Sequence, residues 1–81
     1  MRRNYLRILR ELTTEEKLFL RPYITENENT SYAAINDGVA GGLSAKKLIY
    51  CASNISHGFN FPYNLQPVVR RLLDEHPDLL S

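Results

Sequence analysis

Apolar residues recur at helical spacing in three stretches of this 81-residue chain. The first stretch contains Tyr5, Ile8, Leu9 and Leu12, the second covers residues 18–24, and the third covers residues 68–73. A spacing of three and four residues places such side chains on one face of a helix, where they pack against a core. The pattern therefore predicts three amphipathic helices.

The second helix has a clear start and a predicted end. The hydroxyl of Thr13 can accept a hydrogen bond from the third helical amide while Glu16 reaches back, which is a capping box. The helix is therefore predicted to begin near Thr14 and to end by Glu26. Pro22 lacks an amide hydrogen, so we expect a kink or a tightening there. The side chains expected to face the core are Leu18, Phe19, Leu20, Tyr23 and Ile24.

A glycine-bearing segment follows a polar loop over residues 25–29. Residues 30–35 fit either a short strand or a first helical turn, and periodicity does not decide between them. Asp37 is expected to cap a helix over residues 38–47, with Val39 and Leu43 facing inward. Glycines weaken this helix, and close approach of two backbones is the expected reason for them. These glycines are Gly38, Gly41 and Gly42.

Two strands and a last helix complete the pattern. Residues 48–52 and 59–63 are predicted to pair antiparallel across the loop 53–58, with Pro62 on an edge strand or at a bulge. Pro67 suits the first position of a helix that ends before Pro77. Leu79 and Leu80 are expected to fold back onto the core. In the last helix, we expect Val68, Val69, Leu72 and Leu73 to pack, and Arg70, Arg71, Asp74 and Glu75 to face water.

The predicted order is helix, helix, strand or turn, helix, strand, strand, helix. This order predicts an α+β fold, a small winged-helix-like domain with helices packed on a short two- or three-stranded antiparallel sheet. We expect residues 1–12 to form a basic amphipathic helix and residues 13–81 to form a single winged-helix-like domain. At this length only a thin core is available.

The charge is distributed unevenly along the chain. The first ten residues carry four arginines and no acid, whereas the other 71 carry six basic and nine acidic residues. The basic helix could dock on its own domain, contact an anionic membrane surface or phosphates, or form a homodimer. The residues expected to make membrane or phosphate contacts are Arg2, Arg3, Arg7 and Arg10.

The sequence predicts no catalytic, metal or cofactor site, so we do not expect an enzyme. Cys51 is the only cysteine, which excludes an internal disulfide, and its position within a strand favours a small buried hydrophobe. His57 and His76 lie in no metal-ligand spacing. No apolar run reaches the roughly 18–20 residues that span a bilayer.

A protein partner is favoured over a nucleic acid. The helix before the hairpin offers only Ser44, Lys46 and Lys47 for reading DNA, and residues 54–58 contain no arginine or lysine. A small winged-helix nucleic-acid binder remains the alternative function. Aromatic side chains with polar neighbours are common interface anchors, although Phe59 and Phe61 could instead fill the core. The expected contacts are Tyr50, Asn54, Phe59, Phe61, Tyr63 and Asn64.

Three segments carry a resemblance to a known family: LTTEEKLFLRPYI, INDGVAGGLSAKKLIYCASN and FPYNLQPVVRRLLDEHPDLL. Together they resemble the cytosolic part of superinfection exclusion protein B, a membrane-associated family of temperate phages and prophages, over about residues 11–81. The resemblance implies a non-enzymatic module that protects a lysogen by protein interaction, in the cytoplasm at the inner face of the membrane. It brings no catalytic residues.

Two features depart from that family. Its members typically carry membrane-spanning segments ahead of this domain, so residues 1–81 are expected to be a soluble fragment, an internally started short form or a free-standing relative. The family pattern also has an arginine at the position of Cys51 and a tryptophan at that of Val68. A surface charge and an aromatic anchor are thus replaced here.

Overall fold

The computed structural model describes residues 4–56 and 58–81. The predictions for Arg2, Arg3 and His57 lie outside this part of the chain. In chain order the elements are α1 (Tyr5–Arg10), α2 (Thr14–Thr25), β1 (Thr30–Ala34), α3 (Gly38–Ala45), β2 (Ile49–Cys51), β3 (Asn60–Leu65), α4 (Pro67–Glu75) and a 3-10 turn (Pro77–Leu80). The predicted α+β class and antiparallel sheet are confirmed.

The winged-helix resemblance is not confirmed. A helix-turn-helix needs two consecutive helices, and residues 35–48 between β1 and β2 form a single helix, α3. The segment that periodicity left undecided is a strand, β1, at one edge of the sheet. The strand order is β1-β3-β2, with both neighbours antiparallel to β3.

The predicted capping box of α2 is present. Thr13 Oγ1 accepts from the Glu16 amide at 3.2 Å, and Glu16 Oε1 accepts from the Thr13 amide at 2.9 Å. The helix ends at Thr25, as predicted. The prediction that Leu18 faces the core was wrong. The buried face of α2 contains Glu16, Leu20 and Tyr23, and Leu18 lies on the opposite side of the helix.

Pro62 lies in the central strand and not at an edge or a bulge, which corrects the prediction. The Ala52 amide donates to the Pro62 carbonyl at 2.8 Å, so the backbone of Pro62 faces β2. Pro62 has no N–H, so it cannot donate a hydrogen bond back to the Ala52 carbonyl. The β2–β3 ladder therefore ends after Cys51. A proline is tolerated at this position because the ladder does not continue beyond it.

Helix α3 is shorter than predicted. Asp37 Oδ1 accepts from the amides of Val39 and Ala40, which confirms the cap. The helix ends at Ala45, because Lys47 adopts a positive φ of 65° that turns the chain into β2. The glycines of α3 were expected to allow close approach of two backbones. A Cβ added at Gly38 or Gly41 would contact no other atom, so this explanation applies at most to Gly42.

One core connects all helices and strands. Leu9 of α1, Tyr23 of α2, Leu43 of α3 and Leu73 of α4 are among its fully buried side chains. Leu79 and Leu80 fold back onto this core, as predicted. The inward prediction for Val68 was wrong: α4 buries Val69 and Leu73, four residues apart, and Val68 lies outside that face.

An ion pair between the buried Glu16 and the partly exposed Lys46 joins α2 to the end of α3. Lys46 Nζ donates to Glu16 Oε2 at 2.6 Å, while the other oxygen of Glu16 serves the capping box. Burial raises the pKa of the Glu16 carboxyl. The hydrogen bonds from Lys46 and Thr13 and the charge of Lys46 outweigh burial, so the pKa lies below its usual 4.5.

A second connection runs from α4 to the end of α2. Arg70 Nη1 donates to the carbonyl of Tyr23 at 3.0 Å, and Arg70 Nη2 makes a short hydrogen bond to the carbonyl of Glu28. The prediction that Arg70 faces water was wrong. Its guanidinium pairs with carbonyl groups at the end of a helix, which need partners.

We predict that Glu16→Gln lowers the free energy of unfolding by about 1–2 kcal/mol at pH 7, because glutamine keeps the cap but loses the ion pair. Since folding lowers the pKa of Glu16, its contribution is present above pH 4.5 and is lost as the pH falls through the folded pKa. Urea denaturation at pH 7 and at pH 3 measures this difference. The exposed neighbour is the control: Glu15→Gln should change stability by less than about 0.5 kcal/mol. An equal loss in both variants at pH 7 would contradict the ion pair.

We also predict that Arg70→Ala destabilises the domain by about 2 kcal/mol, since two carbonyl groups lose a charged donor. Arg71 is the matched control, because it is the next residue of α4 and is exposed. Arg71→Ala should stay within about 0.5 kcal/mol of the unchanged protein in urea denaturation. Equal effects of the two substitutions would show that Arg70 does not connect α4 to α2.

Candidate interaction surface

The structure separates the six predicted contact residues into three places. Tyr50 and Asn64 lie side by side in the sheet, in register with each other. Asn54 and Phe59 belong to the β2–β3 connection. Phe61 packs partly against the core and Tyr63 lies within it. The sheet thus offers an outer face, an inner face and one tip, and the predicted residues are distributed over all of them.

On the outer face of the sheet, one row of side chains crosses all three strands. Asn64 of β3 is paired with Thr30 of β1 and with Tyr50 of β2. Thr30 Oγ1 donates to Asn64 Oδ1 at 2.6 Å, and Asn64 Nδ2 donates to the Tyr50 hydroxyl at 3.5 Å. Such cross-strand contacts hold side chains in fixed positions. The exposed Tyr50 is therefore presented by a rigid platform.

Sequence reasoning missed a tyrosine on this face. Tyr32 pairs with Pro62 two positions along from the Thr30–Asn64 pair, so its side chain leaves the sheet on the same side. Its ring is largely exposed. The alternation of residues 30–35 would have placed Tyr32 on the same face as Tyr50, but only once the segment was known to be a strand and its register was known.

Three large apolar residues are exposed at one end of the sheet: Ile35 is 63%, Ile55 75% and Phe59 91% exposed. We call these three residues the sheet tip. The last pair of the β1–β3 ladder joins Ala34 to Asn60, so Ile35 and Phe59 directly follow and precede it. Residues 52–60 contain no aspartate, glutamate, lysine or arginine. The loop that carries Ile55 and Phe59 therefore has no acidic, lysine or arginine side chain.

Local bonds and one glycine shape the loop of the sheet tip. The Ile55 amide donates to Ser53 Oγ at 3.0 Å, and Gly58 adopts a positive φ of 66° that suits glycine. The alternative interpretation, in which Phe59 fills the core, was wrong because its side chain is almost fully exposed. Sequence reasoning missed Ile35 and Ile55, because one followed an unassigned strand and the other lay in a polar loop.

Two of the predicted contact residues, Phe61 and Tyr63, lie on the inner face of the sheet and pack in or against the core. Tyr63 is 3% exposed, and burial raises the pKa of its hydroxyl. Its carbonyl accepts from the buried Tyr23 hydroxyl at 2.6 Å. Tyr63 thus belongs to the core. Cys51, predicted to be buried, is exposed because β2 is an edge strand that ends there, and its Sγ donates to the Ser53 carbonyl at 3.2 Å.

The basic helix α1 packs on its own domain. Leu9 and Leu12 are buried in the common core, and the Tyr5 hydroxyl donates to the Lys47 carbonyl at 3.3 Å. Arg7 and Arg10 are both exposed. Arg7 Nε lies 3.9 Å from Glu11 Oε1, an exposed pair that adds little stability. The two arginines therefore remain available for an external contact.

The basic helix and the sheet tip lie at opposite ends of β2. Tyr5 contacts Lys47, which precedes β2, whereas the loop of the tip begins after Cys51. At roughly 3.3 Å per residue, the five steps from Lys47 to Ala52 correspond to about 17 Å. One surface is positively charged and the other uncharged, so they suit different contacts.

The other candidate chemistries gain no support. Of the three residues expected to read DNA, Lys46 is already paired with Glu16. Within residues 4–56 and 58–81, no three His, Cys, Asp or Glu side chains are grouped as a metal site requires. In the same ranges, no helix has both the length and the apolar character to cross a membrane.

Comparison with known protein families gives a match. The family model described as super-infection exclusion protein B matches residues 2–77, which is nearly the whole chain. The chain belongs to this family. The resemblance carried by the three sequence segments is thereby confirmed. No curated protein and no solved structure matches the chain.

Membership of the super-infection exclusion protein B family gives the surface its functional context. The family is named for the exclusion of a second phage, and its description contains no enzymatic activity. Cys51 and Val68, where departures from the family pattern were expected, are both exposed. Changes at these two positions would alter the surface of the domain and leave the core intact.

Proposed function

We propose that this chain is a non-enzymatic superinfection exclusion module that binds a protein partner through the sheet tip. The observation that carries the proposal is the 91% exposure of Phe59 in a loop without acidic, lysine or arginine side chains, at the end of the sheet that also exposes Ile35 and Ile55. Exposed clusters of large apolar residues mark interaction sites on small soluble domains. Family membership supplies the biological setting, the defence of a prophage-carrying cell.

The sheet tip has the properties of an interface anchor. Burial of one Phe or Ile side chain in a partner contributes about 1.5–3 kcal/mol. Because residues 52–60 have no formal charge apart from His57, binding desolvates no acidic, lysine or arginine side chain. The loop follows a strand held by the Thr30–Asn64–Tyr50 contacts, so less conformational entropy is lost on binding.

The proposal also assigns a membrane contact to the basic helix α1, at the end of β2 opposite to the sheet tip. Arg7 and Arg10 are exposed on α1, which contacts Lys47 at the end of β2 opposite to the tip. Each arginine close to an anionic leaflet adds about 1 kcal/mol of attraction. The basic helix would face the inner leaflet of the membrane from the cytoplasm, while the tip points away from the surface toward the partner.

We predict that Phe59→Ala raises plaque formation by a heteroimmune phage at least about tenfold on cells expressing the chain, since about 2 kcal/mol of anchor burial is lost. The matched control is Leu18→Ala, which removes another exposed apolar side chain from α2. Efficiency of plating is measured at equal protein levels, with thermal unfolding as a check on the fold. Unchanged exclusion by Phe59→Ala would remove the sheet tip as the partner site.

For the membrane contact, we predict that Arg7→Gln combined with Arg10→Gln weakens binding to anionic liposomes about 30-fold, which corresponds to about 2 kcal/mol. Co-sedimentation with phosphatidylglycerol vesicles measures this binding. The control exchanges Arg71 on α4 and Lys17 on α2 for glutamine, so the change in net charge is the same. If both double variants sediment alike, the attraction reflects net charge and not the basic helix.

A further inference from the structure

The outer face of the sheet, opposite to the core, exposes one tyrosine ring on each edge strand. Tyr32 of β1 is 51% exposed and Tyr50 of β2 is 40% exposed. In the central strand between them, Pro62 is paired with Tyr32 and Asn64 with Tyr50. These two side chains are smaller than the flanking rings, so β3 forms the floor of a shallow trough with a tyrosine wall on each side.

The strands that form this trough carry no charge. No aspartate, glutamate, lysine or arginine occurs in β1, β2 or β3. A charged peptide or a nucleic acid laid across them would lose part of its hydration and meet no opposite charge on the strands. The outer face therefore suits a neutral ligand.

The side-chain contacts of the trough leave two hydrogen-bond donors unused. Asn64 Oδ1 accepts from Thr30 Oγ1 at 2.6 Å, and Asn64 Nδ2 donates to the Tyr50 hydroxyl oxygen at 3.5 Å. A side-chain amide has two N–H donors and a tyrosine has one O–H. In the part of the chain that the structure describes, the second N–H of Asn64 and the O–H of Tyr50 have no acceptor. The trough thus suits a ligand that brings acceptors.

From these features we propose that the outer face binds a polyproline II segment of a protein partner, with two prolines three residues apart. A proline-rich backbone presents carbonyl acceptors and has no N–H at its prolines. Its rings are neutral and pack into grooves lined by aromatic side chains. The two unused donors pair with carbonyls of the segment, and the two tyrosine rings pack on its prolines. This contact is additional to the one proposed for the sheet tip.

The spacing of the two tyrosines fits this ligand. Tyr32 and Tyr50 lie two strands apart and are offset by two residues along β3, because their partners are Pro62 and Asn64. Strand spacings of about 4.8 Å and a rise of about 3.3 Å per residue place the two Cα atoms about 12 Å apart. One turn of a polyproline II helix is about 9 Å long. A tyrosine side chain is long enough to cover the difference, so each ring can contact one proline.

The test is a titration of the ¹⁵N-labelled chain with hexaproline that is capped at both ends. We expect saturable shifts at the amides of Tyr32, Tyr50 and Asn64 and at the side-chain amide of Asn64. A capped glycine-serine hexapeptide and a six-nucleotide oligothymidylate should each bind at least about tenfold more weakly. Equal binding of the oligothymidylate would overturn the proposal in favour of single-stranded nucleic acid. Shifts centred on the sheet tip, or the same shifts on raising the concentration of the chain alone, would overturn it as well.

Variants test the two rings separately. Tyr32→Thr and Tyr50→Thr each remove a ring and keep a β-branched residue that suits a strand. Each should weaken hexaproline binding about tenfold. If one of them loses the native amide spectrum, the other provides the comparison.

The control is Phe59→Ala, which removes an exposed ring outside the trough. Its hexaproline binding should be unchanged, whereas phage exclusion through the sheet tip should be lost, so the two contacts are distinguished. Hexaproline affinity that is insensitive to both threonine substitutions, or equally sensitive to Phe59→Ala, would exclude the outer face as the site.

Discussion

Glu16 is the point at which two helices and the start of the sheet are held together. One carboxylate oxygen caps α2 through the Thr13 amide, and the other accepts from Lys46, the residue that caps α3. The next residue, Lys47, turns with positive φ, and Leu48 then donates to Leu43 and accepts from Gln66. Fixing the end of α3 therefore also fixes where β2 starts.

This constraint matters because the core is small. An 81-residue chain buries a limited share of its surface, so a few polar contacts decide how the elements fit together. Arg70 acts in the same way at the other end of α2, where it joins Tyr23 and Glu28 to α4. Both contacts are made by charged side chains that reach groups at helix ends, which leaves the apolar side chains free to fill the interior.

The end of the β2–β3 ladder determines the shape of the candidate site. Because Pro62 has no N–H, the ladder to β2 stops at Cys51, while the ladder to β1 continues as far as Ala34 and Asn60. The chain after Cys51 therefore leaves the sheet, whereas β3 stays paired with β1 as far as Asn60. It emerges next to the end of β1, and this brings Ile55 and Phe59 to the same end of the sheet as Ile35.

Local signals in the sequence predicted the helix starts well, because an N-terminal cap involves residues only a few positions apart. Thr13, Asp37 and Pro67 each took the predicted role. Long-range partners could not be read in this way: the contacts of Arg70 lie 42 and 47 residues away. The strand order, the central position of Pro62 and the grouping of the sheet tip depend on such contacts too.

The sheet tip contributes little to the fold that displays it. Phe59 and Ile55 are mostly in water, so neither supplies much of the burial that stabilises the core, and both raise the tendency to aggregate. A helix that contributes Leu9 to the core carries the exposed arginines at the opposite end. Charge at one end and apolar surface at the other would allow both contacts at once, because neither occupies the other's surface. The exclusion module proposed above, which would contact a membrane and a protein partner together, needs this separation.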